Sequence, residues 1–401
     1  MKILVTGAGG FIGKNLVATL RTIDKHEIFE YHHSDGLNIL EKFCRECDFV
    51  FHLAGVNRPE NPNDFTEGNE TFTSKLVNFL EQNKNNCPIV FSSSVQAELD
   101  NYYGRSKLAA EKILLEYEKK SDSKIFIYRL KNVFGKWCLP NYNSVVSTFC
   151  FNAARSLPLK INDPSRELEL VYIDDVIKEF LNVLEGSEVQ NILTYKVNLQ
   201  KLADIIQSFT TCREKLSVPN QNDEFIRKLY STYQSYLSEK NFSYALKMHA
   251  DERGSFSEFI RTEGQGQFSV NVVKPHITKG NHWHHSKHEK FLVVSGEGVI
   301  RFRKIFSNEI IEYKVSGSCH EVVDIPPGYT HSIENIGDTD MTVVIWANEN
   351  FNPEIPDTFF EKVIDSSTHL HGGGVLTPRQ FKIYILFKIL IESIVKGGAF
   401  K

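Results

Sequence analysis

Tyr103-Gly104-Arg105-Ser106-Lys107 puts a phenol and an ammonium four residues apart, on one face if the segment is helical. At that spacing the ammonium is expected to lower the phenol's pKa toward working pH and make it a usable proton donor. Ser94 is placed to hydrogen-bond the same substrate oxygen, with Ser93 as its competitor. To reduce a carbonyl, such a pair needs a hydride donor, and a glycine-rich turn near the start of the chain suits one. It reads Val5-Thr6-Gly7-Ala8-Gly9-Gly10-Phe11-Ile12-Gly13, behind the apolar Ile3-Leu4 and ahead of helix-like Lys14 to Arg21. Glycines between a strand and a helix let the backbone approach a pyrophosphate, and the helix N-terminus adds unpaired N–H groups and a positive dipole end. Where a carboxylate at the end of the second strand would bind an unphosphorylated adenosine ribose, the chain has Tyr31-His32-His33-Ser34. That absence favours NADP, with His32 beside it.

A different chemistry is written beyond residue 280, in Gly280-Asn281-His282-Trp283-His284-His285-Ser286-Lys287-His288-Glu289 and in Pro326-Pro327-Gly328-Tyr329-Thr330-His331. His282 and His284 face one side if they lie on a strand, and Glu289 with the distant His331 completes a four-ligand set. Imidazole and carboxylate suit zinc, iron, manganese or nickel rather than calcium. Trp283 and His285 are extra features of the segment.

Positioning two such sites takes two folds, and 401 residues suffice for both. To about residue 185, short apolar runs alternate with helix-length segments, the pattern of a doubly wound parallel sheet. Strands are predicted at Ile3 to Thr6, Ile28 to Tyr31, Phe49 to Leu53, Ile89 to Ser92 and Ile125 to Arg129. From about residue 243 the texture becomes dense strand-like runs: Phe268 to Val273, Phe291 to Ser295, Gly298 to Arg303, Glu309 to Val315, Val322 to Ile325 and Met341 to Trp346. These suggest a small antiparallel barrel or jelly roll. Leu229 to Tyr244, polar and tyrosine-rich, is the candidate junction. A tail from 365 to 401 contains the apolar stretch Arg379 to Lys396, whose Lys382, Lys388 and Glu392 argue against a membrane span. It suits a terminal helix docked on protein or lying on a membrane.

With 41% hydrophobic and 24% charged residues the composition is that of a globular protein, and a net charge of -4 gives nucleic acid no electrostatic footprint. Seven cysteines, an odd number, and a Met-Lys-Ile-Leu-Val start without a signal peptide point to the cytoplasm. Cys44 and Cys47 are expected to pack rather than to bind metal.

The glycine spacing resembles the extended, sugar-nucleotide-modifying branch of the short-chain dehydrogenase/reductase family. His52-Leu53-Ala54-Gly55 resembles that family's strand end beside the nicotinamide. Phe91-Ser92-Ser93-Ser94 is similar to its serine-bearing strand, and Arg129 through Asn132-Val133-Phe134-Gly135 resembles its nucleotide-sugar segment. The resemblance implies NADPH held by Gly7, Gly10, Phe11, Ile12, Gly13, His32, Leu53, Ala54 and Gly55 with Tyr103 and Lys107, and a UDP-sugar contacted by Asn132 and Arg166. Only eight residues separate Ser94 from Tyr103, shorter than is usual in this branch. His282-x-His284, Glu289 and Gly296, then Pro326-x-Gly328-x-x-His331-x-x-x-Asn335, resemble the two cupin motifs, and Zn2+ is the expected ion. His276 and His320 stand where each motif usually has a glycine.

The whole order resembles a family of bifunctional bacterial capsular-polysaccharide enzymes. It implies an NADP-binding reductase domain over 1–243 and a cupin epimerase over 244–364, acting as a homodimer. The cupin would epimerise C3 of UDP-2-acetamido-2,6-dideoxy-4-hexulose. The reductase would then give UDP-2-acetamido-2,6-dideoxy-L-talose at C4. Beside a 4-keto group the neighbouring proton is acidified, and His285, Lys290, Tyr313 and Tyr329 are acid or base candidates that the sequence does not rank, with His285 entered as catalytic. Three rivals stand beside this reading: a non-catalytic cupin dimerisation module, a metal-free epimerase and a metal-dependent dioxygenase.

Overall fold

In the computed structural model, which describes residues 1–364 apart from Glu263, the strand Lys2–Thr6 (β1) is covered on both faces, so that Ile3, Leu4 and Val5 are all fully buried. Side chains alternate along a strand, and the two faces therefore have separate cores. Ile3 and Val5 pack with Leu16, Leu20, Val176 and Phe180 on one side, and Leu4 packs with Leu40, Leu76, Leu80 and Leu114 on the other. Each such leucine or phenylalanine contributes about 1.5–3 kcal/mol by leaving water.

Four more parallel strands complete the sheet: Glu27–Tyr31 (β2), Phe49–His52 (β3), Ile89–Ser94 (β4) and Ile125–Leu130 (β5), in the order β2-β1-β3-β4-β5. All five predicted strands are present within two residues at each end. The order reverses between β1 and β3, and in such sheets ligands bind outside the carboxyl ends of the strands at that point. The glycine turn leaves β1 there, and Leu53 to Gly55 leaves β3. A smaller sheet, Asn132–Phe134, Glu167–Tyr172 and Tyr195–Asn198, packs with the helices Val145–Ala153, Leu199–Ser208 and Glu224–Gln234. Leu229, Tyr233 and Tyr236 are buried in that core, which corrects the junction expected at Leu229 to Tyr244: its first half is an amphipathic helix, not linker.

All seven cysteines are free, and Cys44, Cys47 and Cys87 lie in the sheet core as packing residues, with 3.7 Å between the Cys47 and Cys87 sulfurs.

β3 ends on an enclosed imidazole. His52 lies between the hydroxyls of Thr6 at 2.8 Å and Thr73 at 2.9 Å, and burial, then the charge of Lys107, push its pKa down to about 3. Between that value and the ordinary 6.5 the unfolded chain binds a proton that the folded chain refuses, so this contribution is complete above 6.5 and lost as pH falls. Urea unfolding is expected to show about 2 kcal/mol less stability at pH 5 than at pH 7 from this group. His52→Gln should flatten that pH slope by a similar amount, and an unchanged slope would refute the assignment.

The chain divides into two compact units, Met1–Met248 with Ser257–Ser269, and His249–Phe256 with the residues from Val270 onward. Among the described residues the second is all-β. One sheet runs Ile310–Ser316, Glu297–Lys304, Tyr329–Asn335, Thr278–Trp283, Phe359–Phe360, and another includes Gly266–Val273, Met341–Ala347, Glu289–Ser295 and Val322–Ile325 in that order. Val273, Phe291, Ile300, Phe302, Ile333, Val343 and Ile345 form its core. This is the jelly-roll class expected of a cupin, behind a Rossmann-like α/β sheet. The tail, with its expected helix, lies outside the described residues.

Candidate active sites

The helix Phe11–Ile23 begins at Gly10 with no side-chain cap and no acidic residue in its first turn. Its first N–H groups are thereby left for an anion. Gly7 has φ +70°, and a Cβ there would lie 2.7 Å from the backbone of Ala54; a Cβ on Gly13 would lie 2.2 Å from the carbonyl oxygen of Gly7. Only glycine lets strand, helix and the Leu53–Gly55 loop approach this closely. A cavity of about 540 Å³ runs from this turn to Tyr103 and Lys107. Gly7, Gly10, Phe11, Ile12, Gly13, Leu53, Gly55, Ser94, Tyr103, Lys107 and Asn132 all line it. Ala54 lies behind Gly7, and the His32 ring sits 3.1 Å from where a Gly9 side chain would begin. The two carboxylates near His32 are engaged, Glu30 with Arg21 and Asp35 with the His32 backbone N–H at 2.7 Å. Arg166, expected at the sugar nucleotide, is exposed and is not among the cavity's lining residues. The physical reason is its place in the turn before Glu167–Tyr172, where Asp163 accepts its backbone N–H.

Tyr103 and Lys107 stand near the start of the helix Tyr102–Ser121, whose cap is Asn101, its side chain accepting from Gly104 N at 2.8 Å. The Lys107 ammonium is fully enclosed, donates to the Ser92 carbonyl at 2.9 Å, and is pushed down to about 8 by burial against the pull of Glu111. Gly55 leaves it room, since a Cβ there would lie 3.0 Å from Nζ. Burial raises the Tyr103 phenol, while the hydroxyl of Ser94 acts to lower it. The expected depression by Lys107 is therefore corrected: desolvation raises the phenol, the group that acts to lower it is Ser94 rather than Lys107, and the phenol keeps its proton. The two candidate serines separate cleanly. Ser93 donates to Glu111 at 2.5 Å, and Arg129 binds that same carboxylate, whereas Ser94 accepts from Gln96 N at 3.2 Å and lies beside the Tyr103 hydroxyl.

In the second unit, Tyr329–Asn335 and Thr278–Trp283 are antiparallel with His282 opposite His331, beyond a bulge at Gly280–His282 that re-aims the side chain. Glu289 opens a strand of the other sheet. One ligand atom from each of His282, His284, Glu289 and His331 lies within 4.8 Å of the others. His284 Nε2 and His331 Nε2 approach Glu289 Oε2 at 3.4 and 3.5 Å, yet none of these three buried atoms has a hydrogen-bond partner. Burial, then His331 and His284, push His282 down to about 3, leaving it neutral with a free lone pair. Burial opposes ionisation of Glu289, but His284 and His331 hold its carboxyl well below the usual range. Three imidazoles and one carboxylate, with buried atoms of His284, Glu289 and His331 left without partners, are the donor set of a divalent metal, and the residues fit one.

His285 is not brought into this cluster. The rings of His282 and His284 lie 5.0 Å apart on one side, while those of Trp283 and His285 pair at 4.5 Å on the other and pack on Phe359. The strand ends at Trp283, and the chain beyond it carries His285 to the side of Phe359. Lys290 pairs with Asp324, and Tyr313 is exposed on the edge strand. Tyr329, two residues before His331 on one strand and packed against the core, shares its inward face.

Two residues that position these sites carried no sequence signal. Asn69, buried in the π-helical turn Thr66–Thr71, bonds both backbone groups of Val56 and the Ser106 hydroxyl, bracing the loop after β3. Asp357 reaches the histidine loop from 70 residues away in sequence.

Comparison with known proteins matches residues 3–197 to the NAD dependent epimerase/dehydratase family and 249–359 to the polysaccharide biosynthesis C-terminal domain. A UDP-2-acetamido-2,6-beta-L-arabino-hexul-4-ose reductase of Pseudomonas aeruginosa is 43% identical over 365 residues, 90% of this chain and 98% of that one. The crystal structure of the capsular polysaccharide assembling protein CapF from Staphylococcus aureus is 49% identical, covers 90% of this chain and 100% of its own, and superposes with a TM-score of 0.86. A CapF structure with the inhibitor 3-isopropenyl-tropolone is 45% identical at the same coverage, with a TM-score of 0.80. The chain belongs to the family of these capsular polysaccharide proteins, in which an epimerase/dehydratase-type domain is followed by a polysaccharide biosynthesis C-terminal domain.

Proposed function

We propose that the chain reduces the C4 ketone of UDP-2-acetamido-2,6-dideoxy-4-hexulose with NADPH, after inverting the neighbouring C3, to give UDP-2-acetamido-2,6-dideoxy-L-talose for capsular polysaccharide synthesis. Residues 1–243 carry the reduction and 244–364 the epimerisation. The observation that carries this reading is the single cavity lined by the glycine turn, Ser94, Tyr103 and Lys107. Kinship with the Pseudomonas reductase supports the substrate.

Bound in that cavity, the dihydronicotinamide supplies the hydride. The chain's own work is positional and protonic. Ser94 donates to the ketone oxygen, and Tyr103, kept protonated by its burial, gives that oxygen its proton. Lys107 spends one N–H on Ser92 and keeps donors for ligand hydroxyls. The absence of a free carboxylate near His32 supports NADPH over NADH. Asn132 lines the same cavity and is assigned to the sugar nucleotide; Arg166 is assigned to its phosphates only on a sequence match.

At the second site we assign His282, His284, Glu289 and His331 as ligands of a divalent metal, zinc by donor type. Its charge, when bound, acidifies the proton beside the ketone. Tyr329 is assigned as the acid or base, which its position two residues before His331 on one strand supports. The tropolone named as CapF's inhibitor has adjacent oxygens of the kind that chelate such a cation, which supports a metal in this family. Exposed Ile310, Ile311 and Tyr313 on an edge strand support a homodimer, and seven free cysteines support a cytoplasmic site of action. Among the described residues no helix is long and apolar enough to cross a membrane.

The test is incubation with the UDP-4-keto sugar in D2O, followed by NMR. Without NADPH, deuterium should enter at C3; with it, the C4 alcohol should form in step with NADPH oxidation. Reduction without any C3 exchange would leave the cupin a binding module, and no reduction would refute the assignment.

A further inference from the structure

The chain after the last long strand of the second unit folds back over the loop that joins two of the four clustered residues. Asp357 is its centre. The carboxylate accepts from the backbone N–H groups of His285, Ser286 and Lys287, each at 2.8 Å, and from the Ser286 hydroxyl at 3.0 Å. Its main-chain carbonyl accepts a hydrogen bond from His284 Nδ1. Three successive N–H groups converging on one anion form a nest, here filled by the protein itself. The rest of the strap is fastened on both sides. Phe359–Phe360 pairs with Trp283 and His282, Glu361 N donates to the Asn281 carbonyl at 2.9 Å, and Val363 N donates to Asn281 Oδ1 at 3.1 Å. Arg303 holds the Glu361 carboxylate at 2.7 Å and the Lys362 carbonyl at 2.9 Å.

Two physical consequences meet at His284. A proton held on Nδ1 by the Asp357 carbonyl leaves Nε2 as the lone-pair nitrogen, and Nε2 is the buried atom aimed at Glu289 without a partner. Residues 284 to 288, which connect the two, form neither helix nor strand, so nothing in their own backbone pattern fixes the spacing from His284 to Glu289. The Asp357 carboxylate supplies that constraint from outside, and removing it returns the loop's conformational freedom.

We propose that Asp357 is a positioning residue of the metal site, a latch that fixes the His284 tautomer and the loop to Glu289 and so sets how tightly the site holds its ion. The proposal rests on reading the four-residue cluster as a metal site. Zn2+ affinity is measured on the folded full chain by competition with a chromophoric chelator, for the wild type, Asp357→Asn and Asp357→Ala. The visible spectrum of Co2+ in each reports ligand geometry. The alanine variant keeps the main-chain carbonyl on His284 Nδ1 and loses the carboxylate's hold on the loop, and it should bind Zn2+ about 10-fold more weakly, the lower end of the outer-partner range. The asparagine variant, which keeps one acceptor oxygen, should fall between and still fold if alanine does not. Equal affinity in all three, with unchanged Co2+ spectra, overturns the latch even if thermal stability drops. A wild type that takes up neither ion removes the metal reading itself.

Discussion

Tyr103→Phe is expected to slow NADPH oxidation by about 100- to 10,000-fold, the range of a positioned proton donor, or about 3–5 kcal/mol of barrier. Only the hydroxyl is lost. The ring packs against Phe65, with centroids 5.8 Å apart, and phenylalanine keeps that contact, so KM should move far less than kcat. Burial holds the phenol's pKa up, so at neutral pH the wild type starts with the proton in place. Phenylalanine leaves the ketone oxygen only the Ser94 hydroxyl, whose proton is much less acidic. Stopped-flow absorbance of NADPH measures the rate, and NMR measures C3 exchange in the same variant. Exchange should persist, because that chemistry is assigned to other side chains. A rate within tenfold of wild type would put the donor elsewhere, and loss of both activities would refute their independence.

What could be read in advance followed from pattern length. The central parallel strands announce themselves as apolar runs buried on both faces, as at Ile3-Leu4-Val5 and Phe49-Val50-Phe51, and the edge strands as short apolar runs between helix-length segments. Thr278–Trp283 and Tyr329–Asn335 escaped the strand reading although they carry two of the four clustered residues, His282 and His331, with His284 just beyond the first. Histidines and other polar residues take inward positions that aliphatics would mark, and a bulge breaks the alternation at Gly280. The motif was legible where the secondary structure was not. The side on which the acid or base candidate His285 lies was not legible either: although adjacent in sequence to His284, its ring pairs with Trp283 away from the cluster. The direction of the Tyr103 shift depends on burial, which four-residue spacing does not report. Asp357 and Asn69 act through contacts made across the fold, and a partner 70 residues away leaves no local trace.

His284→Ala should empty the second site and abolish C3 exchange while leaving hydride transfer intact. His284 has no exposed surface, and its Nε2 is one of the three unpartnered atoms closing on a common point with Glu289 Oε2 and His331 Nε2. Three ligands then remain, with the Asp357 carbonyl freed of its imidazole partner. Because loss of an outer partner costs about 10- to 100-fold in affinity, loss of a ligand should exceed that range. Metal content by plasma mass spectrometry after dialysis, and deuterium uptake at C3, give independent readouts. NADPH oxidation should be followed with substrate already inverted at C3, so that the first unit is not starved by the second. The comparison with metal-stripped wild type decides what the histidines are for. If stripping leaves exchange intact and His284→Ala still destroys it, the imidazoles act as bases without an ion. If both manipulations remove exchange together and spare reduction, the cluster holds the ion that the epimerisation requires.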